Sequence, residues 1–364
     1  MIKAFQSRLR QLKKDRRAVW VGYALIGVAL AVLPFAVDGG FGRTWVRIVD
    51  FALIYAMLAL GLNIVVGFAG LLDLGYIAFY AVGAYTWALL ASPQFGLHLP
   101  FWAILPIGAG VAAFFGVLLG APTLRLRGDY LAIVTLGFGE IIRIFLNNLD
   151  HPINITNGPI GINKIDPISI AGVDLTRTHE FLGLEFAGTH LYYYVLLGLV
   201  MLSMFICVRL EDSRVGRAWI AIREDEVAAQ SMGINTRNVK LLAFAMGATF
   251  GGVAGGLFAS FQGFVSPESF ILLESIMVLC MVVLGGMGHV AGVVVGALLL
   301  AVLPEILRST ASPIQEQLFG KVLVDPESLR MLLFGLALIL VMLIRPTGLW
   351  PSPIRKREFA SEAT

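Results

Sequence analysis

The chain has 364 residues, of which 58% are hydrophobic and only 14% are charged. A soluble domain carries about 25% charged residues, so this composition excludes a disordered chain, a nucleic-acid-binding domain and an ordinary cytosolic enzyme. The mean hydropathy of +0.83 agrees with that exclusion. Glycine (40 residues) and proline (15 residues) are abundant, as is typical of helices that cross a membrane. The composition predicts an all-α polytopic membrane protein embedded in a lipid bilayer.

A membrane helix needs about 20 mostly apolar residues to cross a hydrocarbon core about 30 Å thick. The sequence predicts about ten such transmembrane helices, some of them short enough to require a break or a tilt. The apolar runs cover 18–37, 46–66, 73–91, 101–121, 130–148, 191–208, 242–263, 271–285, 290–308 and 329–344. The stretch 271–308 admits two short spans or one long broken span, because Gly285, Gly286 and Gly288 interrupt it.

Basic residues indicate which loops face the cytosol. The tail 1–17 carries seven Lys or Arg side chains against one acid, and the apolar run behind it is too long for a signal peptide. The loop 149–190 has more acids than bases, so the positive-inside rule places it outside. Both termini are predicted to be cytosolic around a transmembrane domain at 18–344. The remaining cytosolic segments are 122–129, 209–241 and the C-terminal tail 345–364.

The chain lacks the residues of a nucleotide or metal site. No phosphate-binding loop of the G-x-x-x-x-G-K-[ST] type is present. A dinucleotide fingerprint occurs by letters at 108–113, but it lies inside an apolar span with no strand before it. Cys207 and Cys280 both fall in apolar runs, which favours two small buried side chains over a zinc site. We therefore expect no cofactor and no metal bound by this chain.

Glycines recur four residues apart within the spans, a spacing that lets helix backbones approach closely. Packing within the chain is the favoured interpretation, and packing against a second membrane subunit is the alternative. The pairs are Gly116 and Gly120, Gly251 and Gly255, Gly252 and Gly256, and Gly292 and Gly296.

Two other glycine-rich stretches, 61–76 and 285–292, interrupt apolar regions. Irregular backbone at membrane depth survives only where protein or water satisfies its polar groups. Paired interruptions in the two halves of a chain are a pointer to a transport path. We therefore expect the path near these stretches, with an internal repeat as a hypothesis.

Few ionisable residues lie inside the spans. Glu140 and Arg143 are three residues apart, so they share a helix face and can pair. Charges in a membrane are costly and are usually functional, although a pair that only fixes packing is an equal alternative. No string of acids and histidines suggests a proton relay, and no filter motif suggests a channel.

The cytosolic loop 209–241 predicts an amphipathic helix at about 214–232, begun by Ser213 and ended by Gly233. A dense charged patch lies in its middle, at 223–226. The acids nearly equal the bases, so docking into a soluble partner is favoured over binding to anionic lipid or a solvated loop. The apolar face would comprise Val215, Trp219, Ile222, Ala229 and Met232.

Several motifs appear in a recognisable order. They are the segment 61–76, Leu-Arg-Leu-Arg-Gly-Asp-Tyr at 124–130 with its continuation to Arg143, Gly-Arg-Ala-Trp at 216–219, Arg-Glu-Asp-Glu at 223–226, Gln-Gly-Phe-Val-Ser-Pro-Glu-Ser-Phe at 262–270, and Val-Leu-Gly-Gly-Met-Gly at 283–288. Over about 50–350 the chain resembles ABC importer permeases for branched-chain amino acids, of the LivM type. The loop also resembles the coupling segment of such permeases, Glu-Ala-Ala with a later Gly. Ala228, Ala229 and Gly233 fit, whereas Val227 stands at the Glu position.

The resemblance implies ABC importer permease architecture in a bacterial inner membrane. The chain would pair with a second, homologous permease, and two cytosolic ATPase subunits would hold ATP and Mg²⁺. A periplasmic binding protein would deliver leucine, isoleucine or valine, and no nucleic acid would bind. An ion-coupled secondary carrier, a channel, and an ABC permease for urea or short amides are the alternatives.

Each of these roles has candidate residues. The predicted ATPase-coupling residues are Arg217, Trp219, Arg223, Glu224, Asp225, Glu226, Ala228, Ala229 and Gly233. The predicted substrate path has Asn63, Asp73, Tyr76, Thr135, Glu140, Gly285, Gly286 and Gly288. The predicted docking site for the binding protein has Asn154, Asn157, Gly158, Pro159, Gly161 and Asn163.

Overall fold

The computed structural model describes residues 16–123, 126, 128–170, 173–176, 178–181 and 184–319, and several positions between 332 and 350. Its architecture is helical. The helices are α1 (Arg16–Phe41), α2 (Arg43–Leu62) continued by a π-helix (Asn63–Phe68), α3 (Ile77–Leu90), α4 (Phe101–Thr123), α5 (Asp129–Asn148), α6 (Gly188–Glu211), α7 (Arg214–Glu224), α8 (Glu226–Ser231), α9 (Thr236–Gln262), α10 (Leu272–Gly285) and α11 (Val290–Phe319).

Each predicted apolar run from 18–37 to 290–308 coincides with one of these helices, and the run 329–344 lies outside the continuously described residues. Within the described part, five segments are long and apolar enough to cross a membrane. They are Arg43–Phe68, Phe101–Thr123, Gly188–Glu211, Thr236–Gln262 and Pro267–Gly285. The protein is therefore an integral membrane protein of the all-α class, and the total of about ten spans stays a prediction.

The span predicted at 73–91 is helical only from Ile77 onward. Residues 69–76 form no regular helix, and Gly70 has a positive φ of 69°. The π-helix Asn63–Phe68 leads into this segment, so the interruption expected in 61–76 is confirmed. We call residues 63–76 the first break.

The stretch 271–308 contains two helices, which resolves the two alternatives. The helix α10 ends at Gly285, and α11 starts at Val290. The turn between them carries positive φ angles at Gly286 (115°) and Gly288 (80°), a conformation that side chains with a Cβ rarely adopt. We call residues 286–289 the second break.

The spaced glycines mediate packing within the chain, as favoured. A Cβ at Gly256 would lie 2.7 Å from the Trp87 ring on α3, and one at Gly116 would lie 2.7 Å from Ala248. The helix α9 therefore packs tightly between α3 and α4.

The loop 149–190, called the outer loop after its predicted side of the membrane, is more ordered than a plain connection. It contains a 3₁₀ turn (Gly158–Ile160) and the short strands β1 (Ile162–Asn163), β2 (Ser169–Ile170), β3 (Val173–Asp174), β4 (His179–Phe181) and β5 (Leu184–Phe186). Strands β2 and β3 pair, as do β4 and β5. Strand β1 pairs antiparallel with β6 (Phe264–Val265), which precedes a 3₁₀ turn (Pro267–Ser269) and α10. This pairing joins the loop to the outer end of α9.

Candidate functional site

The two breaks are in direct contact. Asn63 Oδ1 accepts a hydrogen bond of 2.8 Å from the Gly288 main-chain nitrogen, and both groups are buried. A Cβ at Gly67 would lie 2.6 Å from the same nitrogen, so only glycine allows this approach. The structure therefore brings Asn63 and Gly288, two of the predicted path residues, into one junction.

Side-chain oxygens satisfy the irregular backbone of the first break. Thr135 Oγ1 accepts from the Leu74 nitrogen (3.0 Å), and Asp73 Oδ1 accepts from the Gly75 nitrogen (2.9 Å). Ser275 Oγ accepts from the Ile77 nitrogen (3.1 Å) and so ties α3 to α10. These bonds meet the requirement that irregular backbone inside a membrane must find partners in the protein.

The remaining predicted path residues differ in their partners. The Tyr76 hydroxyl is buried and donates to the Gly247 carbonyl (2.9 Å). Asn63 Nδ2 and Asp73 Oδ2 are also buried, but neither has a hydrogen-bond partner among the described residues. Buried polar atoms without partners are rare and call for an explanation. Gly285 and Gly286 contribute backbone only, at the second break.

The predicted Glu140–Arg143 pair is present and extends further. Arg143 donates to Glu140 through Nε (3.0 Å) and to Glu268 through Nη1 (3.1 Å). The Glu140 side chain is 42% exposed, so the pair lies on the surface of this chain and not in its core. Glu268 belongs to the 3₁₀ turn before α10, so the network links α5 to the segment that begins α10.

The loop 209–241, called the cytosolic loop after its predicted side of the membrane, forms two helices, so the single helix predicted at 214–232 is wrong. Ser213 caps α7 as expected, accepting from the Gly216 nitrogen (3.1 Å), and Gly233 ends α8 with a φ of 86°. Asp225 interrupts the helix with an extended backbone. Its Oδ1 accepts from the nitrogens of Val227 and Ala228, which caps α8 and reorients it.

Four of the predicted coupling residues face the membrane domain. Trp219 is fully buried and donates to the Val239 carbonyl (2.8 Å), and Ala229 is buried. Arg223 Nη1 donates to the Gly67 carbonyl of the first break (2.7 Å). Glu226 accepts from Lys240 (2.5 Å), whose side chain is only 6% exposed. Glu226 therefore forms an ion pair within the chain, and its predicted role in ATPase coupling stays a prediction.

The other predicted coupling residues face outward. They are Arg217, Glu224, Asp225, Ala228 and Gly233, and they are all exposed. The apolar side chains of Val227 (59% exposed) and Met232 (83% exposed) lie among them. Met232 is predicted on the same apolar face as Trp219, but the break at Asp225 places Met232 on the exposed surface and Trp219 in the interior. This exposed apolar pair with charged neighbours is a surface that fits a protein partner.

The predicted docking residues of the outer loop have mixed roles. Asn154 and Asn157 bond each other, and Asn157 Nδ2 donates to the Gly161 carbonyl (2.9 Å), so both asparagines shape the turn. Gly158 is buried, whereas Pro159 and Asn163 are exposed. Ile153 and Ile160 are each 69% exposed beside them. Nearby, a hydrogen bond from His151 lowers the pKa of the Asp150 carboxyl.

The described C-terminal residues lie against the second break. The main-chain nitrogens of Leu349 and Trp350 donate to the carbonyls of Leu284 (2.8 Å) and Gly285 (3.1 Å). The Trp350 ring stacks on His289 at a centroid distance of 5.9 Å. The start of the C-terminal tail and the cytosolic loop therefore lie at the same end of the bundle.

These features agree with the comparison to known families. A family model described as "Branched-chain amino acid transport system / permease component" matches residues 45–342. The chain belongs to this family. The match includes both breaks and the α7–α8 loop, so the junction of Asn63, Gly67, Gly288 and Arg223 lies within the part shared with other members.

Individual relatives agree with the family model. The chain is 47% identical over 336 residues to the Escherichia coli (strain K12) high-affinity branched-chain amino acid transport system permease protein LivM, covering 89% of this chain and 74% of the relative. It is 25% identical to the Methanocaldococcus jannaschii probable branched-chain amino acid transport permease protein LivM, covering 75% and 74%. It is 28% identical to the Pseudomonas aeruginosa permease protein BraD, covering 82% and 92%. No solved structure matches the chain significantly.

Three residues that stabilise the breaks and the docking loop of this chain were not predicted from the sequence. Lys240 and Glu268 each complete an ion pair, and Ser275 satisfies the first break. A single Lys or Ser in an apolar run offers a weak signal. Lys240 is predicted only as a cytosolic base, although its place in the second turn of α9, beside an apolar segment, favours burial.

Proposed function

We propose that this chain is the membrane-spanning permease subunit of an ATP-driven importer for leucine, isoleucine and valine. In this proposal it lies in a bacterial inner membrane, with both termini and the tails 1–17 and 345–364 on the cytosolic side. It forms the path with a second, homologous permease. Two cytosolic ATPase subunits bind ATP and Mg²⁺, and a periplasmic binding protein delivers the substrate, so this chain itself is not an enzyme and holds no cofactor.

One observation carries the proposal: the cytosolic loop makes contact with the broken helices. A transport subunit driven by a soluble ATPase needs a cytosolic docking element that is mechanically joined to its path. Helix α7 meets that need, since it packs by Trp219 on Val239 and touches the first break at Gly67. The similarity to permeases named for branched-chain amino acid transport supports the choice of substrate.

The outward surface of α7 and α8 is the proposed ATPase contact. Val227 and Met232 would enter an apolar cleft, while Glu224 and Arg217 would pair with charges at its rim. Docking of a short helix pair into a groove is a common recognition mode. The carboxylate of Glu224 is exposed and forms no ion pair among the described residues, which makes it available to a partner.

In this mechanism, substrate crosses the membrane because the path changes the side on which it is open. When the ATPase dimer closes on ATP, the docked α7–α8 segment is carried with it, and that displacement favours one access state over the other. The path runs near the two breaks, where Asn63 Nδ2 and Asp73 Oδ2 would gain partners from water or substrate. An apolar amino acid needs few charged contacts, so this sparse polar lining fits it.

The outer loop is the proposed landing surface for the binding protein. The contact would be made by the exposed residues Ile153, Pro159, Ile160 and Asn163. The hydrogen bonds between Asn154 and Asn157 would keep this turn in its conformation. The pairing of β1 with β6 would transmit a displacement of the loop on docking to the end of α9. The Glu140–Arg143–Glu268 network stands at this outer end, on the surface that we assign to the second permease.

Reconstitution in proteoliposomes tests the function. The chain, its companion permease and the two ATPases should take up leucine, isoleucine and valine when the binding protein and ATP are present. Omitting the ATPases should abolish uptake, and collapsing ion gradients should leave it unchanged. Uptake by the chain alone with an ion gradient would establish a secondary carrier, gradient-free conduction a channel, and preference for urea or short amides the related ABC permease.

Charge reversal at Glu224 tests the docking surface. Glu224→Lys should lower ATP-driven uptake while the protein still reaches the membrane, because a reversed charge opposes the partner's rim charge. Membrane content measured on the same vesicles serves as the control. Unchanged uptake by this variant would exclude Glu224 from the docking surface.

A further inference from the structure

Arg223 stands where three segments of the chain meet. It lies in the last turn of α7, and its Nη1 donates to the Gly67 carbonyl at 2.7 Å. Its aliphatic part crosses Gly70, where a Cβ would lie 2.6 Å from Arg223 Cγ. At Gly288, a Cβ would lie 3.4 Å from Arg223 Nη1 and 3.3 Å from the Gly67 carbonyl oxygen. One guanidinium therefore adjoins both breaks.

The acceptor of this bond is chemically distinctive. Gly67 lies in the last turn of the π-helix that ends α2, where main-chain carbonyls lack the next turn as a partner. The carbonyl end of a helix carries a partial negative charge, so a guanidinium there is favourable. A hydrogen bond from a charged donor is stronger than one between neutral groups. Arg223 therefore acts as a C-terminal cap, supplied by the cytosolic loop.

The same junction is closed from the other side by Asn63, whose Oδ1 accepts from the Gly288 nitrogen. Next to it, a cavity of about 140 Å³ is lined by Gly70, Leu72, Arg223, Glu226 and Lys240 among others. The Lys240–Glu226 pair fixes α8 against α9 on one wall of this cavity. A displacement of α7 must therefore either move the end of α2 or break the Arg223 bond.

We propose that Arg223 is a positioning residue that holds the cytosolic ends of the two breaks together as a closed inner gate. ATPase-driven movement of α7 opens the gate by displacing the Arg223 contact with the Gly67 carbonyl. The proposal rests on the function proposed above and specifies how the docking loop controls the path. It predicts that losing the bond leaves docking intact but frees the gate from control by ATP.

The test uses the complete reconstituted complex with Arg223→Gln, Arg223→Lys and, as a matched control, Arg237→Gln. Arg237 is an exposed arginine at the same end of the molecule. Three quantities are measured: ATP hydrolysis, leucine uptake per ATP, and labelling of an introduced Leu72→Cys by a membrane-impermeant thiol reagent from the cytosolic side. Cys207 and Cys280 are buried, and the chain without Leu72→Cys gives the background.

Arg223→Gln should keep ATP hydrolysis but lower leucine uptake per ATP and raise labelling of Leu72→Cys without nucleotide. Loss of one charged hydrogen bond shifts such an equilibrium by about tenfold or more. Arg223→Lys keeps the charge but not the planar donor, so it should fall between Gln and the wild type. Arg237→Gln should behave as the wild type in all three measurements.

Wild-type coupling and labelling in Arg223→Gln would overturn the proposal. So would equal defects in Arg237→Gln, because the effect would then belong to surface charge. If Arg223→Gln fails to assemble, Arg223→Lys decides: unchanged coupling and labelling in an assembled Lys variant would also overturn the proposal. Failure of the wild-type complex to couple uptake to ATP would instead refute the proposed function.

Discussion

At the scale of single residues, the Lys240–Glu226 pair places a charged ammonium in the interior beside the α7–α8 loop. Lys240 is 6% exposed and Glu226 20% exposed. Glu226→Ala would leave a buried ammonium without its partner, at a cost of about 3 kcal/mol of unfolding free energy. Thermal unfolding in detergent measures this loss, with exposed Glu224→Ala expected to change stability by less than about 0.5 kcal/mol.

Replacing Lys240 should destabilise the protein less than replacing Glu226. Lys240→Met leaves Glu226, which reaches water, and an apolar side chain suits the buried position of Lys240. The double variant Lys240→Met with Glu226→Met should recover most of the stability lost in Glu226→Ala, since no buried charge remains. Equal stability of Glu226→Ala and the wild type would contradict the internal pairing of Glu226.

Residue roles were harder to predict than residue positions. The sequence placed Arg223 and Glu226 in a cytosolic loop and gave them one shared role, docking. The structure turns both inward, to Gly67 and Lys240, and leaves Glu224 outside. A charge run carries no information on which side chain faces inward, because that depends on where the helix breaks. The break depends on Asp225, which an unbroken apolar periodicity concealed.

At the scale of elements, Gly75 and Gly139 decide how closely the first break approaches α5. A Cβ at Gly75 would overlap the Thr135 carbonyl, and one at Gly139 would lie 3.1 Å from Gly75 Cα. Gly75→Ala should destabilise the protein by about 1–3 kcal/mol through overpacking, and Gly139→Ala by less. Gly137 on the same helix has open space, so Gly137→Ala should be neutral or stabilising.

The order of these three variants is the measured quantity. Thermal unfolding in detergent should rank Gly75→Ala below Gly139→Ala and Gly139→Ala below Gly137→Ala. The Thr135 hydroxyl accepts from the Leu74 nitrogen, so separation of α5 also exposes the backbone of the break. A Gly75→Ala variant as stable as Gly137→Ala would show that α5 does not pack on the first break as described.

A second element depends on one side chain. Asp225 caps α8 by accepting from the nitrogens of Val227 and Ala228. Asp225→Ala should cost about 1 kcal/mol of unfolding free energy through loss of the cap, whereas Asp225→Asn should cost much less. Comparing the unfolding midpoints of the two variants checks this, and a greater loss in the Asn variant would indicate a role for the charge beyond capping.

The bounds of the helices were predicted well from the sequence where an apolar run is about twenty residues long. The helices α4, α5 and α6 lie close to the predicted runs, because about twenty apolar residues have few alternatives in a membrane. The breaks were located from glycine content, but their contact was not, since Asn63 and Gly288 are 225 residues apart. The start of α3 at Ile77 was also missed, because Asp73 and Gly75 sit in a run that is apolar on average.

At the scale of the whole molecule, three segments define one end of the bundle. The described C-terminal residues Leu349 and Trp350 bond to the end of α10, and Arg223 reaches the adjoining second break. The helix α1, with 26 residues, spans about 39 Å from its start to the turn at Gly42. The hydrogen bonds from Tyr193 and Tyr194 to Leu30 and Ala31 align α1 with the outer half of α6. Its start therefore points toward the end of the bundle at which Arg223 lies.

The helix α6 makes this arrangement testable, because it alone separates the outer loop from the cytosolic loop. Its 24 residues rise about 36 Å, enough to cross the hydrocarbon core once. Asn154 precedes α6 in the chain and Met232 follows it, and both residues are exposed, so each can be replaced by cysteine for labelling. In intact cells an impermeant thiol reagent should label Asn154→Cys only, and inverted membrane vesicles should show the reverse. Labelling of both cysteines from one face would contradict the single crossing of α6, and with it the orientation that places Arg223, the breaks and the ATPases on one side.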